Sequence, residues 1–183
     1  VLADGQGGRP GGARAAQLAC QAAMDAALRL PPARLADGLA WTAVLQDADA
    51  AVARDAEAGF TTLLGFWMDE DHLGGASVGD SAVYLMVAGR CTDLTARQHK
   101  NPPLGSGAAA ITPFAARTTA GAVVLAMSDG VWKYAGRERI VAAGSAWRGQ
   151  ELIDGLQRQT RLPGSGRFAD DFTLVVLDCD GRK

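Results

Sequence analysis

The 183-residue chain predicts an α+β fold, a four-layer α-β-β-α sandwich of two antiparallel sheets flanked by helix pairs. Three observations lead to it. Helical patterning precedes the strand-like region and returns within it, between Arg137 and Arg161. The runs "FTTLLGFWM", "VYLMVAG", "AVVLAM" and "FTLVVLD" are apolar on both alternating faces, as strands buried between two layers must be. The connections "DEDH" (Asp69–His72) and "AGR" (Ala88–Arg90) are short enough for hairpins, which makes the strands they join antiparallel.

Taken in order, Ala13 to Leu30 reads as a helix. Arg14, Gln17, Gln21, Asp25 and Arg29 form one polar stripe, and the remainder is mostly Ala, Leu, Met and Cys. Pro31-Pro32 ends it and opens a second helix to about Ala56, with Leu35, Leu39, Thr42, Leu45 and Val52 toward the core and Gly59 closing it. From Phe60 the strand pattern takes over. Trp41, Trp67, Trp132 and Trp147 read as core or partly buried anchors. With no repeat or linker, residues 1–183 are expected to form a single domain, and a chain of this length buries roughly 70% of its unfolded surface.

Composition narrows the partners. Eighteen Lys and Arg stand against 20 Asp and Glu, so there is no basic field to draw nucleic acid or an anionic membrane. Cys20, Cys91 and Cys179 are widely spaced without a CxxC pair and read as reduced, mostly buried thiols, neither a disulfide frame nor a zinc site. No apolar stretch reaches membrane-spanning length, so a cytoplasmic, monomeric protein is expected. The start without Met leaves room for residues upstream.

Aspartates recur where strands end. "VLA" runs into Asp4-Gly5, "GGASV" into Gly79-Asp80-Ser81, "AVVLAM" into Ser128-Asp129-Gly130, and "GSGRFA" delivers Asp170-Asp171 before the last strand. Any one Asp-Gly step is an ordinary turn. Together, beside strands that pair, they would gather several carboxylates at one edge, where they repel one another unless a cation intervenes. Carboxylate, carbonyl and water suit Mg²⁺ or Mn²⁺. Gly5 would let a backbone carbonyl face such an ion. Two ions about 3.5–4 Å apart can hold a bridging hydroxide and clamp a phosphoryl group.

Asp4-Gly5-x-Gly7-Gly8, a helix pair, then "GFTTLLGFW", "GDSAVYL", "SDGVWKY" and "DDFTLVV" together resemble the PPM-type (type 2C) metal-dependent protein phosphatases, from Asp4 to Asp178. The resemblance implies an α-β-β-α sandwich that hydrolyses phosphoserine and phosphothreonine on proteins. It implies two Mn²⁺ or Mg²⁺ ions that activate water, with no side-chain nucleophile. By motif, Asp4 corresponds to the metal-bridging carboxylate, Gly5 to the carbonyl ligand, and Asp129 and Asp170 to further ligands of the first metal. Asp80 matches the position that holds a third, looser ion together with Asp129. Phosphorylated proteins, and a Ser/Thr kinase as counterpart, are the partners implied.

The chain also departs from the pattern. It begins after the family's Arg and Asn-Glu-Asp segment, which supplies a phosphate contact and second-metal ligands. Gln6 stands where a His general acid is found in many members, Ala82 replaces an Arg, and the flap, about Thr95 to Ala116, is short. A non-catalytic pseudophosphatase that binds phosphoproteins or a kinase is therefore the competing expectation. Other motifs weigh less. "GASVG" fits the G-x-S-x-G elbow, but a strand follows where an elbow needs a helix, so Ser77 reads as a strand residue. "GQGGRPGG" lacks the Lys-Ser/Thr ending of a P-loop. His72, His99, Arg9, Arg14 and Arg167 read as solvated surface groups, the three arginines being secondary candidates for a phosphate contact.

Overall fold

Alanine spacing shapes the first helix. In the computed structural model, which describes residues 1–8 and 10–179, α1 spans Gly12–Leu28 and buries Ala15, Ala19, Ala23, Ala26 and Ala27. Residues three and four apart share one face, and side chains this small let a neighbouring helix approach closely. The expected polar stripe at Arg14, Gln17, Gln21, Asp25 and Arg29 is exposed. Met24 and Leu28, apolar but on the outer face, are 40% and 76% exposed rather than part of the core.

The second expected helix is in fact two. α2 (Pro32–Leu35) is a single turn opened by Pro32, and α3 spans Gly38–Ala53. Asp37 separates them. Its backbone is extended, and its carboxylate accepts the Leu39 N–H at 2.9 Å, capping α3. Trp41 Nε1 donates to the Leu35 carbonyl at 2.9 Å and ties the short turn back onto α3. Leu45 and Val52 are fully buried and Leu35 and Thr42 half-buried, as expected. Leu39 is 69% exposed, because the helix restarts its phase after the Asp37 cap. α3 stops at Ala53, three residues before the expected Ala56. Gly59 lies beyond a turn held by Asp55, which accepts the N–H groups of Glu57 and Ala58 at 3.0 Å.

The strands follow in the order β1 (Leu63–Met68), β2 (His72–Val78), β3 (Ala82–Val87), β4 (Arg90–Asp93), β5 (Thr112–Arg117), β6 (Val123–Met127) and β7 (Leu174–Asp178). Helices α4 (Asp129–Ala135), α5 (Arg137–Ala146) and α6 (Gly149–Thr160) lie between β6 and β7. The fold is α+β with two antiparallel sheets, and the chain divides into two compact units. The first comprises Val1–Ser81 and Thr95–Arg117; the second comprises Ala82–Leu94 and the chain from Thr118 onward.

In the first unit the sheet order is β1-β2-β5, with Leu63 opposite Val78 and Gly75 opposite Phe114. Helices α1 and α3 cover it, and Ala19, Trp41, Leu45, Leu63, Ala76 and Leu104 meet in its core, with Trp67 half-buried against it. The segment Val1–Ala3 contributes only an isolated bridge, Leu2 to Leu64, instead of a strand. The end of the expected flap is likewise not loop. Residues Thr112–Arg117 form β5, whose backbone groups are satisfied by β2, a partner far away in sequence. The buried Asp49 of α3 holds the stretch just before it, accepting N–H groups of Gly105, Gly107 and Ala109 at 2.6, 3.2 and 3.0 Å.

In the second unit the sheet order is β4-β3-β6-β7, with Leu85 opposite Val124 and Leu125 opposite Val176. Ala88 and Gly89, at φ 48° and 77°, make the two-residue turn between β3 and β4. β6 is wholly buried. β7, expected to bury both faces, is only half-buried, with Val175 40% exposed, because an edge strand has a neighbour on one side only. Tyr84, Met86, Leu125, Ile140, Leu152 and Leu156 form this unit's core, with Trp132 and Trp147 packed against it. The three cysteines are half-buried, less enclosed than expected. Among the described residues, no helix is long and apolar enough to cross a membrane.

Candidate metal centre

In the first unit the local structure is built around Asp4 and Thr62. The Asp4 N–H donates to Thr62 Oγ1 at 3.0 Å, and the Asp4 carbonyl accepts from the Thr62 N–H and the Thr61 hydroxyl, each at 2.9 Å. Gln6 N–H donates to the Phe60 carbonyl at 2.9 Å. Gly5 therefore sits opposite Thr61 as a pair whose hydrogen bonds are made by the residues on either side. That geometry turns the Gly5 carbonyl out of the ladder. Glycine is also required here by contact, since a Cβ on Gly5 would overlap the backbone of Gly12 at the start of α1. The glycine-rich opening thus presses helix and strand together.

Asp80 is tied into the same frame through its neighbours. Ser81, buried, shares a hydrogen bond of 2.7 Å between its hydroxyl and that of Thr62, and its carbonyl accepts Gln98 Nε2 at 2.8 Å. On the other side, Gly79 N–H donates to the His99 carbonyl at 3.0 Å. Thr62 thus links the backbone that carries Asp4 to the backbone that carries Asp80. Asp80 itself pairs with Lys100, Nζ to Oδ2 at 2.5 Å.

In the second unit Asp129 opens α4 where β6 ends. The fully buried Ser128 donates twice to the backbone of the Asp171–Thr173 segment: its hydroxyl to the Asp171 carbonyl at 2.9 Å and its N–H to the Thr173 carbonyl at 3.0 Å. Gly130 follows without a side chain, and a Cβ there would overlap the Asp171 carbonyl oxygen. Asp129 is therefore flanked by two residues that press directly on the Asp170–Asp171 segment. Asp170 Oδ1 accepts the Asp171 N–H at 2.9 Å. Phe168 and Phe172, stacked at 4.9 Å, bracket that segment. Lys133, four residues along α4, pairs with Asp129 Oδ2.

Asp4, Gly5 and Asp80 thus belong to the first unit, and Asp129 and Asp170 to the second. Among the described residues, no group of three or more His, Cys, Asp and Glu side chains stands together as a ready metal cage. The donors themselves are all oxygen, carboxylates plus the outward Gly5 carbonyl, a set that suits Mg²⁺ or Mn²⁺ and not zinc. Arg14 is engaged with Asp55 at 2.7 Å, Arg167 is exposed, and Arg9 lies outside the described residues. Ser77 is buried inside β2, with β3 next in the chain, so it has no nucleophile elbow. His72 starts β2 instead of lying in the turn, and both histidines are exposed.

Thr62, Ser128, Gly130, Lys100 and Lys133 are the contributors that sequence reasoning did not single out. A weak signal existed for the first, a threonine pair interrupting an otherwise apolar run. Ser128 and Gly130 flank Asp129 in a step that also reads as a plain turn.

The family model of Stage II sporulation protein E (SpoIIE) matches residues 1–180. Among solved structures, the chain is similar to the catalytic domain of the serine/threonine protein phosphatase PstP in complex with 2 manganese ions. The identity is 25%, the TM-score 0.72, and the match covers 95% of this chain and 84% of that one. It is also similar to the PPM Ser-Thr phosphatase MsPP from Mycobacterium smegmatis, at 21% identity and a TM-score of 0.75, covering 96% and 85%. A bacterial serine phosphatase matches at 18% identity and a TM-score of 0.78, covering 99% and 85%. No curated protein matches the chain.

Proposed function

We propose that this chain, which belongs to the Stage II sporulation protein E (SpoIIE) family and has the fold of the PPM-type serine/threonine phosphatases, hydrolyses phosphoserine and phosphothreonine on proteins with bound Mn²⁺ or Mg²⁺. The observation that carries this reading is the fastening of Asp129 to the Asp170–Asp171 segment. Ser128 ties the segment on one side of Asp129 and Gly130 admits it on the other, so the backbone beside Asp129 packs on the backbone of Asp170 and Asp171, distant in sequence. A simple turn at Ser128-Asp129-Gly130 requires neither contact.

Asp4, the Gly5 carbonyl, Asp129 and Asp170 would hold the two expected ions, and Asp80 would serve a third. Divalent ions bound by such oxygens supply Lewis acidity toward phosphoryl oxygens and lower the pKa of water. The chain's own part is to hold and orient: the carboxylate oxygens would serve as ligands, and none attacks phosphorus. Ser77 is buried in its strand and takes no part. Gln6, beside Gly5, offers an amide, which can hydrogen-bond a substrate oxygen but does not deliver a proton as an acid. Phosphorylated proteins are the substrates, and a Ser/Thr kinase is the counterpart that makes them.

A second reading, a non-catalytic binder of phosphoproteins, has that same Gln6 in its favour. One experiment separates the two. Purified protein is assayed with Mn²⁺ on p-nitrophenyl phosphate and on a phosphothreonine peptide, with Asp129→Asn and with EDTA. The phosphatase reading expects turnover that EDTA abolishes and that Asp129→Asn lowers by about 10³-fold, as fits the loss of several kcal/mol of metal assistance. Undiminished turnover in either arm overturns it. A wild type that binds the peptide without cleaving it establishes the second reading.

A further inference from the structure

Two acids of the candidate centre carry lysines. On α4, the Lys133 ammonium contacts Asp129 Oδ2, and its Nζ lies 5.7 Å from the centre of the Trp132 ring. In the first unit, Lys100 Nζ lies 2.5 Å from Asp80 Oδ2. In both pairs the acid is the sheltered member. The Asp129 and Asp80 side chains are 14% and 20% exposed, against 40% and 60% for Lys133 and Lys100. Each acid is thus covered by an ammonium reaching in from solvent on a flexible stem.

An Asp–Lys pair four residues apart on a helix is common and adds little to stability. Helix pairing alone does not account for the arrangement, because Lys100 reaches Asp80 from a loop rather than from the same helix. Both elements, one in each unit, place a fixed positive charge on an acid expected to bind a divalent cation. A charge in that position opposes any second cation drawn to the same group, strongly so where solvent screening is reduced.

The geometry points to Lys133, seconded by Lys100, as tethered cations that compete with the divalent metal ion for Asp129 and Asp80. The inference rests on the metal-dependent reading above. Loading then requires the ammonium to withdraw, which four rotatable methylenes permit. Divalent affinity is thereby held below what the acids alone would give, and the competition weakens as salt screens the lysine.

Binding is measured directly, by the EPR signal of free Mn²⁺ during titration of the purified protein, with thermal melting as the control for folding. Lys133→Gln is expected to tighten Mn²⁺ binding by about tenfold at low salt. Lys133→Arg, which keeps the charge, should stay near wild type. Lys100→Gln should give a gain in the same direction, and both gains should shrink at high salt. If wild type binds Mn²⁺ and both glutamine variants bind it equally or more weakly, the inference is overturned while the phosphatase reading stands. If no variant binds Mn²⁺, both fall.

Discussion

The Ser128 hydroxyl donates to the Asp171 carbonyl at 2.9 Å and accepts the Thr173 N–H at 3.1 Å, so one buried side chain splices the end of β6 to the approach to β7. The neighbouring Asp129 and Asp170 inherit their placement from this splice. Replacing Ser128 by Ala leaves the Thr173 N–H and the Asp171 carbonyl without that partner. The expected loss is about 1–3 kcal/mol of unfolding free energy, read from the urea midpoint at constant slope. A midpoint equal to wild type would show that the hydroxyl contributes nothing to the splice.

Gly130 reverses a general rule. Within a helix, Gly→Ala ordinarily stabilises by about 0.5–1 kcal/mol. Here the added methyl would meet the Asp171 carbonyl oxygen, a backbone atom with little freedom to move. Gly130→Ala is therefore expected to destabilise by about 1–3 kcal/mol, the usual cost of overpacking. Phosphatase turnover should drop with it, as Asp170 is pushed from Asp129. Thermal melting decides the sign.

Asp49 carries the stretch from Gly105 to Ala109. Its carboxylate, 5% exposed, accepts three backbone N–H groups. Asp49→Ala strands those donors and is expected to cost about 2–4 kcal/mol. Hydrogen exchange at Gly105, Gly107 and Ala109 should accelerate more than at Leu45 in the same unit's core.

Arg14 and Asp55 supply a pH prediction. The guanidinium grips the carboxylate in a fork, Nε to Oδ1 at 2.9 Å and Nη2 to Oδ2 at 2.7 Å. The Arg14 hydrogen bond holds the Asp55 carboxyl below its ordinary value of 3.8. Because the folded value is depressed, the pair's contribution is present above 3.8 and is lost as pH falls through the lower folded value. Arg14→Gln should return the Asp55 titration toward 3.8, observed by carboxyl-carbon NMR, and should raise the pH of acid unfolding.

Local patterns in the sequence carry much of this architecture. The polar stripe of α1 and the hairpin at Ala88-Gly89 are both decided within a few residues, so they can be read without the fold. The break at Asp37 is local too, but it is masked by a helical pattern that continues on both sides. Other features depend on distant partners. Nothing near Thr112-Pro113-Phe114 reveals that β2 will pair with it, and nothing near Val175 reveals that β7 will be an edge. The acids of the candidate centre could be picked out because Asp4, Asp80, Asp129 and Asp170 each lie beside a run that reads as a strand, although Val1–Ala3 forms only a bridge. Their fasteners were hidden, since Thr62 and Ser128 act through hydroxyls whose partners lie across the fold from them in sequence.

Asp4 is gripped by its main chain: its N–H and carbonyl make three hydrogen bonds with Thr61 and Thr62, none of which runs through the carboxylate. These main-chain bonds position the Asp4 backbone whatever its side chain carries. An Asp4→Asn protein keeps all three bonds and should fold as the parent does, which makes it, on the phosphatase reading proposed above, suitable bait for a phosphoprotein substrate.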